Sequence, residues 1–193
     1  LTLRVHRCTA DGRIAKLIER LHDQRGDAET GSATISATIV YATLQKTAEQ
    51  VSAALRTAGF NAAVYHAGLK PERRTAVQEA FMSGEVPIVV ATIAFGMGID
   101  KADIRAVYHY NLPKSLEGYS QEIGRAGRDG APSRCELLAS GDDQAVLDNF
   151  SFGDTPTSDA LAGFVAEIFA ADAAFSVSRY SLSRDHDIRP LVV

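Results

Sequence analysis

Thr38-Ile-Val-Tyr-Ala-Thr-Leu-Gln-Lys-Thr-Ala-Glu-Gln-Val-Ser-Ala-Ala-Leu-Arg-Thr-Ala-Gly-Phe-Asn-Ala-Ala-Val-Tyr-His66 decides the fold. Its first residues, Thr38–Ala42, are a short apolar run rich in β-branched and aromatic side chains, which predicts a buried strand. Leu44, Ala48, Val51 and Leu55 then recur at helical spacing, and Gly59 supplies a residue suited to the left-handed position that stops a helix. Ala62–His66 is a second strand. Strand, helix and strand in so few residues form a right-handed βαβ unit, and such units build a parallel sheet covered by helices on both faces.

The same alternation runs outward in both directions. Leu3–Arg7, Ile88–Thr92, Ala106–Tyr110 and Cys135–Ala139 read as further strands. Ile14, Leu17, Ile18 and Leu21 mark a helix between the first two strands. A third helix starts at Pro71, a favourable first position, carries Val77 and Phe81, and stops at Gly84. Gly26–Ser36 is small and polar and predicts a loop. In a sheet of this kind, function belongs at the carboxyl ends of the strands. After about Phe150 the pattern changes. Gly153–Ser158 reads as a linker, Ala160–Phe175 as a helix, and Ser176–Asp187 as a polar stretch. The expected organisation is therefore an α/β domain over residues 1–150, followed by a mainly helical extension over 151–193.

Composition narrows the class. The chain has 193 residues, 46% hydrophobic and 23% charged, an ordinary globular mix. No stretch approaches the length of a membrane-spanning helix, so no membrane partner is expected. Two cysteines, Cys8 and Cys135, cannot form a four-ligand zinc site or a disulfide framework, so a reducing intracellular compartment is expected. The chain begins at Leu1 without an apolar leader and reads as a piece of a longer protein. Its net charge of −4 argues against nucleic acid, but the charge is uneven. Between Arg134 and Arg179 there is no lysine or arginine and there are eight acidic residues; the rest of the chain carries a net +4. That remainder is basic enough for a phosphate-contacting face, though an ordinary mixed surface has the same charge.

Several familiar sites are missing. No glycine is followed by lysine, so there is no Walker A phosphate loop, and no Asp-Glu pair follows an apolar strand. There is no His-Glu-x-x-His and no Gly-x-Ser-x-Gly. If this chain takes part in nucleotide chemistry, it supplies only part of a site.

Two segments carry that part. In Tyr119-Ser-Gln-Glu-Ile-Gly-Arg-Ala-Gly-Arg-Asp-Gly130, a helix capped by Ser115 would set Gln121, Arg125 and Arg128 on one face. Gly124 and Gly127 would then leave room for another surface to approach. Two guanidiniums directed at one spot repel unless an anion lies between them, and a polyphosphate suits their planar donors. The other reading is a solvated helix end. In Val89-Val-Ala-Thr-Ile-Ala-Phe-Gly-Met-Gly-Ile-Asp-Lys101, a buried strand delivers Thr92 to the sheet edge, free to bond a phosphate oxygen, and Asp100 could accept from a ribose hydroxyl.

Together with Ile39-Val-Tyr-Ala-Thr43, Tyr65-His-Ala-Gly-Leu69 and His109-Tyr-Asn-Leu-Pro-Lys114, these segments resemble the second RecA-like lobe of a superfamily 2 helicase, with wording like that of the RecQ family. The resemblance spans about residues 1–150. It implies a RecA-like parallel sheet sandwiched by helices, in an ATP-dependent DNA helicase of 3′–5′ type serving DNA repair and recombination. ATP and Mg²⁺ would bind mainly to an N-terminal RecA-like lobe of the same protein. Arg125 and Arg128 would reach the γ-phosphate, Gln121 would sense nucleotide, and Gly98 and Asp100 would flank it. Thr92, Thr43 and His66 would face single-stranded or forked DNA. The expected location is cytoplasm or nucleoid, or the nucleus of a eukaryote. RecQ proteins usually continue into a four-cysteine zinc module. Here Ser181-Leu-Ser-Arg-Asp-His-Asp-Ile-Arg-Pro-Leu-Val-Val193 instead resembles the start of a winged-helix region in zinc-less relatives, so no zinc and no other bound metal is expected. An RNA helicase lobe, or a catalytically incomplete binding module, are the alternatives.

Among lesser candidates, His66 and His109 each end a strand, where a structural hydrogen bond competes with a functional role. Asp142 and Asp143 follow Ser140-Gly141 and read as acids that satisfy a helix start. Cys135 reads as core. Tyr108 and Tyr110 read as sheet packing.

Overall fold

A computed structural model describes residues 1–26, 35–96, 99–152 and 158–170. The chain divides into two units after Asp143. In the first, six strands form one parallel sheet: β1 (Thr2–Arg7), β2 (Thr38–Tyr41), β3 (Ala62–Tyr65), β4 (Ile88–Ala91), β5 (Ala106–His109) and β6 (Arg134–Ala139). Their spatial order is β1-β6-β5-β2-β4-β3. This places β2 between β4 and β5, so three carboxyl ends meet at the centre of one sheet edge. Register is fixed across that centre, with Tyr41 opposite both Ala91 and His109.

Alternation along these strands sends side chains to two cores. Val40, Ile88, Val90, Ala106 and Tyr108 face α1 (Arg13–Gly26) and α2 (Gln45–Thr57), which contribute Leu17, Leu21, Val51 and Leu55. Ile39, Tyr41, Val89, Ala91 and Val107 face α3 (Pro71–Ser83), which contributes Val77 and Phe81. Most of these positions are 0–4% exposed, the pattern of a parallel sheet covered on both faces. Cys135 belongs to the second core, and burial pushes its thiol up to about 11. Tyr108 is fully buried and its hydroxyl donates to the Arg20 carbonyl at 3.3 Å.

Local signals hold at most ends. Pro71 opens α3, and Gly84 closes it at φ 84°. Leu44, however, precedes α2 instead of packing in it, and is 44% exposed. A fourth helix, α4 (Leu116–Ile123), is capped by Ser115, whose hydroxyl accepts from the Gly118 amide at 3.0 Å. Asp143 is the acid in the first turn of α5 (Asp143–Phe152), as expected, but the hydrogen bonds of its carboxylate go outside that helix. Buried at 4% exposure, it accepts from Arg13 Nη1 at 2.9 Å, Asn111 Nδ2 at 2.8 Å and the Leu112 amide at 2.9 Å. A buried carboxylate needs such partners, and here they tie the segment after β5 to α1.

The second unit holds the remainder of α5 and α6 (Ser158–Ala170). Gln144 donates to Asp148 one turn later. Leu161, Val165 and Phe169 are exposed at helical spacing. The proposed linker core and the stretch resembling a winged helix lie outside the described residues. Among the described residues no helix is long and apolar enough to cross a membrane.

Candidate functional site

The segment after β4 and the segment after α4 meet at the carboxyl edge of the sheet. β4 ends at Ala91, and Thr92 follows as a buried residue at 7% exposure. Its amide donates to the Tyr65 carbonyl at 3.2 Å, and its carbonyl accepts from the Phe95 amide at 3.0 Å. The backbone here is therefore anchored to β3 and folded into a turn without help from the Thr92 hydroxyl. Phe95 packs in the core against Tyr65 and Phe81, which fixes the next residue, Gly96.

Gly96 receives Arg125. Nη1 of that guanidinium donates to the Gly96 carbonyl at 2.6 Å. A Cβ on Gly96 would lie 2.6 Å from Cζ of Arg125, so only glycine leaves the space. The Tyr41 hydroxyl donates to the Phe95 carbonyl at 3.1 Å. Burial pushes that hydroxyl's pKa up, while the adjacent Arg125 charge and hydrogen bonding pull it back. Three residues along, Arg128 Nη1 donates to the Ile99 carbonyl at 3.4 Å and to Asp100 Oδ1 at 3.0 Å. Each arginine thus bonds a backbone carbonyl of the segment after β4, 29 residues away in the chain.

The route to this arrangement differs from the expected helical face. α4 ends at Ile123, and Arg125 and Arg128 lie in the turns that follow. Gly124 keeps φ at −65°, but Gly127 turns to +65° and breaks the helical path. A Cβ on Gly127 would lie 2.9 Å from the Ala131 carbonyl oxygen. Its small size therefore serves a turn of this chain. Gln121 stays on α4 and is exposed.

Of the other described candidates, only Asp100 meets an arginine. Asp100 is 90% exposed and is the partner of Arg128. Gly98 lies outside the described residues. His66 is buried at 3% and its Nε2 lies 3.1 Å from Glu49 Oε1, the structural bond weighed from sequence. Thr43, just past β2, is half-buried, and its amide donates to Asn111 Oδ1 at 3.2 Å. It lines a cavity of about 70 Å³ with His109, Asn111, Lys114, Ser115 and Glu122. A larger cavity, about 300 Å³, is lined by Arg4, Arg105, Ser133 and Arg134 and holds none of the candidates.

Sequence reasoning misses Tyr41, Gly96 and Glu122, which carry no local sign of their contacts. His109 is weighed there with His66, and the structure gives it the structural bond, to Glu122. Chemically, two forked cations suit a phosphate-bearing anion, and the exposed Asp100 carboxylate is a counter-charge to Arg128. Among the described residues there is no group of three or more His, Cys, Asp or Glu able to hold a metal ion.

Known proteins resemble this chain in sequence and in fold. The chain is 51% identical over 117 residues to mouse "ATP-dependent DNA helicase Q5", covering 61% of this chain and 12% of that protein. It is 54% identical over 109 residues to "RecQ-like DNA helicase blm-1" of Caenorhabditis elegans, covering 56% and 11%. It is 52% identical over 97 residues to "ATP-dependent helicase SGS1" of Saccharomyces cerevisiae, covering 50% and 7%. The chain thus spans about a tenth of the length of these relatives. Its fold matches the Escherichia coli DEAD-box protein SrmB with a TM-score of 0.61 at 22% identity, over 76% of this chain and 80% of that one. It matches domain 2 of the Mss116p DEAD-box helicase with a TM-score of 0.63 at 19% identity, over 77% and 59%. The sheet is therefore that of a RecA-like helicase lobe. The "Helicase conserved C-terminal domain" profile matches residues 14–130, a span that holds β2 to β5, Thr43, His66, Thr92, Gln121 and both arginines. The chain therefore belongs to the helicase conserved C-terminal domain family, and its sequence is RecQ-like.

Proposed function

We propose that this chain is the C-terminal motor lobe of an ATP-dependent DNA helicase, and that it completes an ATPase site shared with an N-terminal lobe of the same protein. The observation that carries the reading is the docking of Arg125 on Gly96 and of Arg128 on Ile99 and Asp100. A nucleotide-bearing surface would close on this edge and meet both guanidiniums. ATP and Mg²⁺ would be held mainly by the other lobe, where they supply the phosphoryl group and its counter-charge. Arg125 and Arg128 hold two forked cations ready for charge that develops on the transferring group. Gln121, exposed on α4, would sense the nucleotide, and Asp100, beside Arg128, would flank it. Thr43 and Thr92 grip the backbone of single-stranded or forked DNA through phosphate contacts, which carry no base preference. DNA is favoured over RNA because the relatives at 51–54% identity are named DNA helicases. His66, engaged by Glu49, has a supporting role at most at that grip.

The test uses the full-length protein. Arg128→Ala should lose most DNA-stimulated ATPase, by roughly 10³-fold or more, while nucleotide affinity changes little. Full turnover in that variant would overturn the reading. An equal loss of ATP affinity and turnover would make Arg128 a ground-state ligand.

A further inference from the structure

His109 has no part in the function proposed above, yet it is held on three sides. It closes β5 at 1% exposure, with Nε2 2.6 Å from Oε2 of Glu122 on α4. Its ring stacks on Tyr41, centroids 5.5 Å apart and planes at 28°, and leans on Tyr119 at 4.9 Å. Nδ1 is buried and has no hydrogen-bond partner among the described residues. With a carboxylate at Nε2, that nitrogen is the donor and Nδ1 keeps a lone pair, which leaves no buried N–H without an acceptor. A phenyl ring would fill the same space without desolvating two nitrogens. What the imidazole adds is the bond to α4.

The position of that bond is what matters. Tyr41 and His109 are register partners on adjacent strands. Two residues further along each strand, Thr43 and Asn111 are joined at 3.2 Å beside the small cavity. On the other side of the stack, the Tyr41 hydroxyl holds the Phe95 carbonyl, and Arg125 lies beside it on Gly96. The stacked pair is thus a wall shared by the Thr43 side and the Arg125 side, and Glu122 pins it to the helix that leads into Arg125.

We propose that His109, through Glu122, is a positioning residue that keeps Arg125 in register with the Thr43 side, so that a bound strand raises the rate at which Arg125 serves hydrolysis. The proposal rests on the role given to Arg125 above.

ATPase of the full-length protein, with and without saturating oligo-dT, tests it. In His109→Phe the stack remains and the bond is lost. Strand affinity, KM for ATP and DNA-free turnover should stay within about twofold, while stimulation of kcat by oligo-dT falls about tenfold. Glu122→Gln still offers an oxygen to Nε2 and should keep at least about half of the stimulation. Glu122→Ala removes the same bond from the helix side and should repeat the loss if His109→Phe does not fold. Full stimulation in His109→Phe or Glu122→Ala overturns the proposal, as does an equal loss of free and stimulated turnover. Arg125→Ala separates the two levels. If it keeps stimulated turnover, the role of Arg125 fails. If it abolishes turnover while His109→Phe is stimulated normally, only the inference about His109 fails.

Discussion

The Arg125 guanidinium rests on the backbone of Gly96, donating to its carbonyl at 2.6 Å in space that a Cβ would occupy. Gly96→Ala therefore sets a methyl group against the movable end of a side chain, not against backbone. The fold should survive, with unfolding free energy changed by less than about 1 kcal/mol. Arg125 must move by about an ångström, and such displacements cost up to about 10²-fold in rate. Steady-state ATPase of the full-length Gly96→Ala protein checks this. Unchanged turnover would mean that the docked position is not the working one.

Arg125 and Arg128 should behave as one unit. Each single alanine variant should lose about 10³-fold or more, and the double variant should be about as slow as the slower single. Arg128→Lys keeps the charge and loses the fork, and should rescue little. Asp100→Asn removes the charge of an exposed partner of Arg128 and leaves an acceptor oxygen, so stability should change by no more than about 1 kcal/mol. Additive losses in the double variant would place the two arginines in separate steps.

Thr92 offers a test of the DNA grip. Its amide and carbonyl are already engaged, so Thr92→Val keeps the turn, and Val suits the end of a strand. Full-length protein should bind single-stranded DNA more weakly by roughly 0.5–1.5 kcal/mol, similarly for every sequence. The salt dependence should barely change, because no charge is removed. Fluorescence anisotropy at several salt concentrations measures both quantities. Unchanged affinity with a lowered melting temperature would remove Thr92 from the grip.

Acid should loosen the outer edge of the sheet. Glu136 is 1% exposed on β6 and accepts from Arg20 Nε at 2.7 Å, with His6 Nε2 at 2.8 Å. Burial alone would raise its pKa, but the bonds from Arg20 and His6 outweigh that and hold it below the ordinary 4.5. A carboxylate lowered on folding contributes stability in full above its unfolded value. That contribution is lost as pH falls through the folded value. Urea midpoints should therefore fall below about pH 4.5 in the wild type and less steeply in Glu136→Ala. At neutral pH that variant should lose about 3 kcal/mol, the low end for breaking a buried pair, because Arg20 retains Asp23. Parallel acid profiles would assign the effect elsewhere.

Much of this was legible before any coordinates. Ile39-Val-Tyr and Ile88-Val-Val-Ala are short apolar runs bounded by turn residues, and burial on both faces leaves them no other reading. Pro71 and Gly84 mark helix ends through backbone geometry alone. The arginine pair was visible through its glycines, but its conformation was not. Gly124 continues the helical φ, and only Gly127, with its positive φ, departs from it, so spacing alone favoured a longer helix. Asp143 misled for a related reason: an acid at a helix start has a local role by default, and the pull of Arg13, 130 residues away, has no local sign. The Gly96–Arg125 and Tyr41–His109 contacts exist only once β4, β2 and β5 lie side by side, which pair patterns along the chain do not encode.

The pairing of Tyr41 with His109 has a consequence for quality control. In a sheet, a slip of one residue sends every side chain of a strand to the opposite face. If β2 slipped against β5, Tyr41 would turn toward the α1 side and leave Phe95 and Arg125 without support, while Thr43 would lose Asn111. A molecule folded with that error would lose both supports at once. The two rings thus make the register of the sheet and the placing of Arg125 a single condition.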